Sequence, residues 1–260
     1  MNNTLRFELR KLFRQKTFYV CAAVVLLVEI INILTLFLIE KISTGAFLGE
    51  FSLGPSAAYY DGGKFLLMGS SFSQMNIVFP IFITLFVCND FSEGTIKNIL
   101  SRGISRGQVF FSKLLTVYVA SLFFVLFGML VAVITGTCIW GFGNSFELSF
   151  LPNLGVQFLL VLAYATVDVF FAFLFGKKAA SLAVGIGLTT VATLVFALLD
   201  VILSEKVGFE FSTFLITGSL SSISNTSVST SELVRAFFTA IAYIGVLGGA
   251  GWLVFKKREV

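Results

Sequence analysis

Apolar residues fall in six long runs: Phe18 to Ile39, Phe65 to Cys88, Lys113 to Ile139, Leu154 to Phe175, Ala179 to Leu203 and Val234 to Phe255. Each reaches the roughly 20 residues that an α-helix needs, at about 1.5 Å per residue, to cross about 30 Å of hydrocarbon. The runs are continuous and lack period-two alternation, which predicts helices rather than barrel strands. Ahead of them, Asn3 to Lys16 carries a different pattern. Leu5, Leu9, Leu12 and Phe13 recur on one side, and Arg6, Arg10, Lys11 and Arg14 cover the other, with Phe7 interrupting the polar face. This spacing predicts an amphipathic helix lying along the membrane surface. The expected fold class is therefore an all-α membrane protein. It has six transmembrane helices, an N-terminal amphipathic elbow helix and a short cytoplasmic helix between spans two and three, in a single domain over residues 1–260.

Basic residues set the expected orientation. Arg6, Arg10, Lys11, Arg14, Lys16, Lys97, Arg102, Arg106, Lys113, Lys177, Lys178, Lys256, Lys257 and Arg258 fall on one side of an alternating six-span path. Only Lys41, Lys64, Lys206 and Arg235 fall on the other, a split of 14 to 4. Both termini are expected in the cytoplasm. For the N-terminal helix, two readings stand: simple positive-inside anchoring, or an elbow that also touches a partner.

Composition agrees with a bilayer address. Hydrophobic residues are 57% and charged residues 12% of the chain, against about 25% charged in a typical soluble domain. The net charge of +4 is dispersed over span ends and does not indicate nucleic acid. Cys21, Cys88 and Cys138 sit in or beside apolar runs with neither disulfide nor zinc spacing, and the chain has no histidine. The first run is too long for a signal-peptide core and is expected to persist as a span. Asn144 to Asn153 reads as a short outer loop, and Ser204 to Ser231 as a Ser/Thr-rich one.

The loop after the second span is more elaborate than a simple turn requires. From Asn89 it reads NDFSEGTIKNILSRGISRGQ. Asp90 and Glu93 have the spacing of a capping-box variant, so a helix is expected to start there. Ile96, Ile99 and Leu100 give it an apolar face, and Gly103 is a natural stop.

The order Glu93-Gly94-Thr95-Ile96-Lys97, then Ile99-Leu100, Ser101-Arg102 and Lys113 resembles the permease subunits of type-2 ATP-binding-cassette exporters. Those that export peptides, lantibiotics or bacitracin-like antibiotics are the most similar. The specific likeness is confined to about Asp90 to Lys113, while the layout of elbow and six spans agrees over the whole chain. The resemblance implies a coupling helix, with Asp90, Glu93, Ile96, Ile99, Leu100, Arg102 and Arg106 seated against a separate ATPase. It also implies two permeases (a homodimer or pseudo-dimer) with two ATPase copies in a bacterial plasma membrane, and ATP and Mg bound by the ATPase. The cargo would be a hydrophobic or amphipathic peptide.

This chain has no phosphate-cradling Gly-x-x-x-x-Gly-Lys-Ser/Thr of its own, so it is not expected to be an enzyme or to carry a cofactor. Asp168 and Asp200 lack the sequence context of an intramembrane aspartyl protease. Glu29, with Asn32 one turn on, and Asp168 lie within spans, where a carboxylate must be protonated, paired or wetted. They are candidates for helix-to-helix bonding or for a translocation path. Ser70, Ser73, Gln74 and Asn76 make the outer half of the second span polar, with Pro80 as a potential kink, and extend the candidate path. Small residues at Ser181, Gly185, Thr189 and Thr193 allow close helix approach, either at a homodimer seam or within one subunit. The alternative function is an ion-coupled secondary transporter or channel.

Overall fold

A computed structural model describes residues 2–44, 75–143, 151–207, 211–224 and 228–258. The helices are α1 (Asn2–Arg14), α2 (Lys16–Thr44), α3 (Met75–Ser92), α4 (Thr95–Ser101), α5 (Arg106–Trp140), α6 (Leu151–Phe175), α7 (Lys178–Val207), α8 (Ile216–Ile223) and α9 (Thr230–Lys257). A 3-10 turn, Phe211–Phe214, precedes α8. Among the described residues there is no strand. Five helices, α2, α5, α6, α7 and α9, are each long and apolar enough to cross a membrane. The helices α3 and α4 pass the same test only when taken together, as a pair whose axes differ by 60°, and counting that pair as one span brings the total to six.

The bundle is built around α6, which packs against α3, α5, α7, α8 and α9. Some 61% of its span is buried, against 6% for α7, so α6 is the centre and α7 the flank. Helices immersed in lipid gain little from hydrophobic burial against one another, so close packing and hydrogen bonds hold them together. The buried side of α9 illustrates this. It is formed by Ala236, Ala240, Gly251 and Phe255, and a methyl on Gly251 would stand 3.3 Å from the Phe110 ring of α5 and 3.7 Å from the Phe170 ring of α6. Tyr118 and Thr166 share a 2.7 Å hydroxyl–hydroxyl bond between α5 and α6. Elsewhere phenylalanines fill the seams. Phe18 of α2 lies 5.1 Å, centroid to centroid, from Phe124 of α5, and Phe173 of α6 lies 4.9 Å from both Phe110 and Phe255.

Most helix ends fall within a few residues of the apolar runs, with two informative exceptions. α5 begins at Arg106, two turns before the expected Lys113, because Ser105 caps it by accepting from the Gln108 N–H at 3.3 Å. No helix starts at Asp90. Instead α3 continues through Ser92, Gly94 turns the chain at φ 68°, and α4 begins at Thr95 without a side-chain cap. That left-handed φ suits glycine.

Ser70, Ser73 and Gln74 lie outside the described residues, and of Asn76 only the backbone, in α3, is described. The described part of the Ser/Thr-rich loop returns to the bundle: α8 packs on α6 and α9 and buries Ile216, Ser219, Leu220 and Ile223. Asp200 of α7 accepts from the Phe211 and Ser212 N–H groups, the latter at 3.0 Å. It is a cap for the 3-10 turn.

Candidate functional site

One end of the bundle gathers α1, α4, the start of α5, the α6–α7 turn and the C-terminus. Within it runs a chain of four charges, Glu8–Lys113–Asp90–Lys11, of which Lys11 is half-buried and the other three are buried. Lys113 lies 3.2 Å from the Glu8 carboxylate and is also bonded to Asp90, which in turn pairs with Lys11. Asp90 and Lys113 are fully buried, and Glu8 is 2% exposed. Both ammonium groups also lie over the Phe86 ring, Lys113 at 5.3 Å and Lys11 at 5.9 Å.

Two acids and two bases make the group neutral, so burial leaves no net charge uncompensated. The network joins three elements that are far apart in the sequence: the N-terminal helix, the last turn of α3 and the second turn of α5. It lies immediately before the bend into α4.

Outside this network, α4 has two faces. Ile96 is 1% exposed, and Ile99 and Leu100 are half-buried against the same core. Glu93, Lys97, Asn98, Ser101 and Arg102 are exposed. Ile96 holds the short helix to its own bundle, with Ile99 and Leu100 half-buried beside it, leaving a polar, charged face outward. Asp90 is withdrawn into the bundle, because the two lysines draw its carboxylate inward, and it does not cap a helix.

Arg106 has a structural task too. Its guanidinium donates to the carbonyls of Phe255 (3.3 Å), Lys256 (3.2 Å) and Arg258, closing the end of α9. Arg258 does the same for α6, donating to Phe173 at 2.6 Å and to Phe175 at 2.9 Å. Arginines at these positions satisfy carbonyls that a helix end leaves open and complement its negative pole.

Glu8 and Arg258 were not singled out from the sequence. A signal for Glu8 was present, since it is the one acid in a basic helix and stands on the side of Leu5 and Leu12. Arg258 was counted only as a charge on the basic side.

The structure does not bring the two intramembrane carboxylates into one site. Glu29 is 1% exposed on α2, which packs on α1, α3 and α5, whereas Asp168 is 2% exposed on α6, facing α7. Neither is reached by Lys113, whose ion partners are Glu8 and Asp90. The small residues of α7 meet neighbours of the same chain. Ser181 bonds with Cys88 (3.5 Å), Gly185 adjoins Asp168 and Pro80, and Thr193 bonds with Thr217 (3.2 Å). Ser181 and Gly185 are buried within one subunit, while Thr189 is half-buried and Thr193 exposed. The exposed side of α7 is apolar instead, with Leu188, Val191, Leu194, Leu198 and Val201 all more than half exposed.

Together these features define a multi-pass α-helical membrane protein with a bent helical element at one end of its bundle. The chain belongs to a family described as a protein of unknown function (DUF2705), whose profile matches residues 19–260. No curated protein matches the chain.

Proposed function

We propose that this chain is the membrane subunit of an ATP-driven exporter, and that α4 is where a separate ATPase docks. One observation carries the reading: a seven-residue helix, bent 60° from its span, is clamped to the bundle by Ile96 while presenting Glu93, Lys97, Asn98 and Arg102 outward. A loop that only reverses the chain needs no such element. A clamped helix passes on a push from outside, whereas an unpacked loop would absorb it. The outward charges would orient the partner and set the rate of encounter, and reversing them would set like charges against it.

In this reading the neutral four-charge network keeps α1, α3 and α5 moving as one body. The α1 end faces the cytoplasm, in keeping with its excess of Lys and Arg. Two copies with two ATPases would move a hydrophobic or amphipathic cargo, with ATP and Mg held by the ATPases.

Purification from native membranes in mild detergent tests the proposal. The expected result is a co-purifying ATPase with a phosphate-binding loop, whose turnover changes when amphipathic peptides are added. Recovery of the intact chain without any ATPase, from cross-linked and uncross-linked membranes alike, would refute it.

A further inference from the structure

Asp168 is the described carboxylate that the packing leaves unexplained. It is 2% exposed, and neither oxygen has a hydrogen-bond partner among the described residues. Buried polar groups are almost always satisfied, so an orphan at this depth calls for something to complete it.

Its surroundings point to what that is. Asp168 lies eight residues before Gly176 and Gly185 nine after it, so the two stand at matching heights on adjoining helices. A methyl on Gly185 would be 3.3 Å from Asp168 Oδ1 and 3.5 Å from the Pro80 side chain. α3, α6 and α7 therefore meet at Gly185, which lets the Asp168 and Pro80 side chains come close to the α7 backbone. Pro80 has no N–H, so within the α3 ladder the Asn76 carbonyl one turn away lacks its donor. At the same level, one turn from Asp168 and Gly185, stand Tyr164 and Thr189, whose side chains are hydrogen-bonded. Thr189 already donates to the Gly185 carbonyl at 2.7 Å, which leaves its oxygen as an acceptor.

Beyond this layer is a cavity of about 120 Å³, bordered by Tyr164, Thr189, Thr193, Thr217 and Tyr243 among apolar neighbours. It has room for water, and the hydroxyls on its border supply hydrogen-bond partners.

We propose that the junction of α3, α6 and α7 is a binding site for a small monovalent cation, sodium being the probe. Asp168 supplies the charge, and the Asn76 carbonyl with the Tyr164 and Thr189 hydroxyls supplies neutral oxygens. All these donors are oxygen, which selects hard cations. A single carboxylate balances a single positive charge, and no cluster of three metal-ligating side chains occurs among the described residues. Carbonyls freed by a helix break are suited to this task inside a membrane. In this proposal an ion would enter from the side of the cavity, past the Tyr164 and Thr189 hydroxyls. The inference does not rest on the ATPase reading and would hold if no ATPase were found.

The test uses the purified full-length chain in detergent, with melting followed in sodium chloride and in choline chloride at equal ionic strength. Sodium is expected to raise the melting temperature saturably at neutral and alkaline pH, and radioactive sodium to bind at one ion per chain. Asp168→Asn is expected to abolish both effects. Thr189→Val, which keeps the shape and removes one oxygen, is expected to weaken apparent affinity about tenfold. Stability that follows pH alone and ignores sodium would make Asp168 a proton site and overturn the proposal. A sodium response retained in Asp168→Asn would overturn it equally. Should that variant fail to fold, an unchanged sodium affinity in Thr189→Val would overturn the site as drawn.

Discussion

Replacing Lys113 with methionine removes the one cation that Glu8 and Asp90 share. Asp90 keeps Lys11, but Glu8, 2% exposed, loses its ion-pair partner. Breaking a buried pair from one side costs about 3–5 kcal/mol, because the remaining charge stays buried without compensation. Methionine matches the lysine stem in length, so packing around Phe86 contributes little to the loss.

The second variant, Glu8→Leu with Lys113→Met, deletes the orphan and leaves Asp90–Lys11 as a neutral pair. It is expected to recover about 2–3 kcal/mol of the loss, a coupling within the range for directly contacting residues. Unfolding free energies from SDS titration in mixed micelles measure both. A cost below about 1 kcal/mol for Lys113→Met, or a double variant less stable than the single, would refute the reading of these four residues as one charge-balanced unit.

Three further outcomes follow from the same geometry. Asp200→Ala leaves the Phe211 and Ser212 N–H groups without their acceptor and should destabilise the turn, seen as faster hydrogen exchange in the 3-10 turn and α8. Arg258→Ala opens the end of α6 beside the chain terminus, and protease trimming of the C-terminus should accelerate while the unfolding free energy from SDS titration falls by about 1–2 kcal/mol at most. Cysteines at Val191 or Leu198, on the exposed apolar side of α7, should cross-link two copies in native membranes, whereas cysteine at Gly185 should not; the reverse pattern would restore the small-residue stripe as the seam.

What the sequence made legible depended on the length scale of the signal. A membrane span is an average over about 20 residues, so its type survives a local misreading, and helices appear at all six apolar runs. Helix ends rest on single side chains. Asp90 looked like a cap because Glu93 follows at the right spacing, but a carboxylate near two lysines is drawn to them. That competition comes from α1 and α5, which are distant in the chain.

The same reason explains Ile96, Ile99 and Leu100. Their periodicity identified an apolar face but could not say whether it would be covered by the chain's own core or by a partner. Arg106 and Arg258 read as topology signals because Lys and Arg counting is blind to geometry, while their bonds to helix-end carbonyls depend on which ends converge. The Asp168 site was half visible. Its carboxylate stood out, but Gly185 and Pro80 acquire meaning only when three helices meet.

The most direct test of the account is the outward face of α4, changed by Lys97→Glu together with Arg102→Glu. Both side chains are exposed and make no ion pair among the described residues, so stability should move by no more than about 0.5 kcal/mol. The account predicts that this variant inserts and melts as the parent does, yet loses the co-purifying ATPase and its peptide-dependent turnover. A variant that retains the ATPase with unchanged peptide-dependent turnover would contradict it.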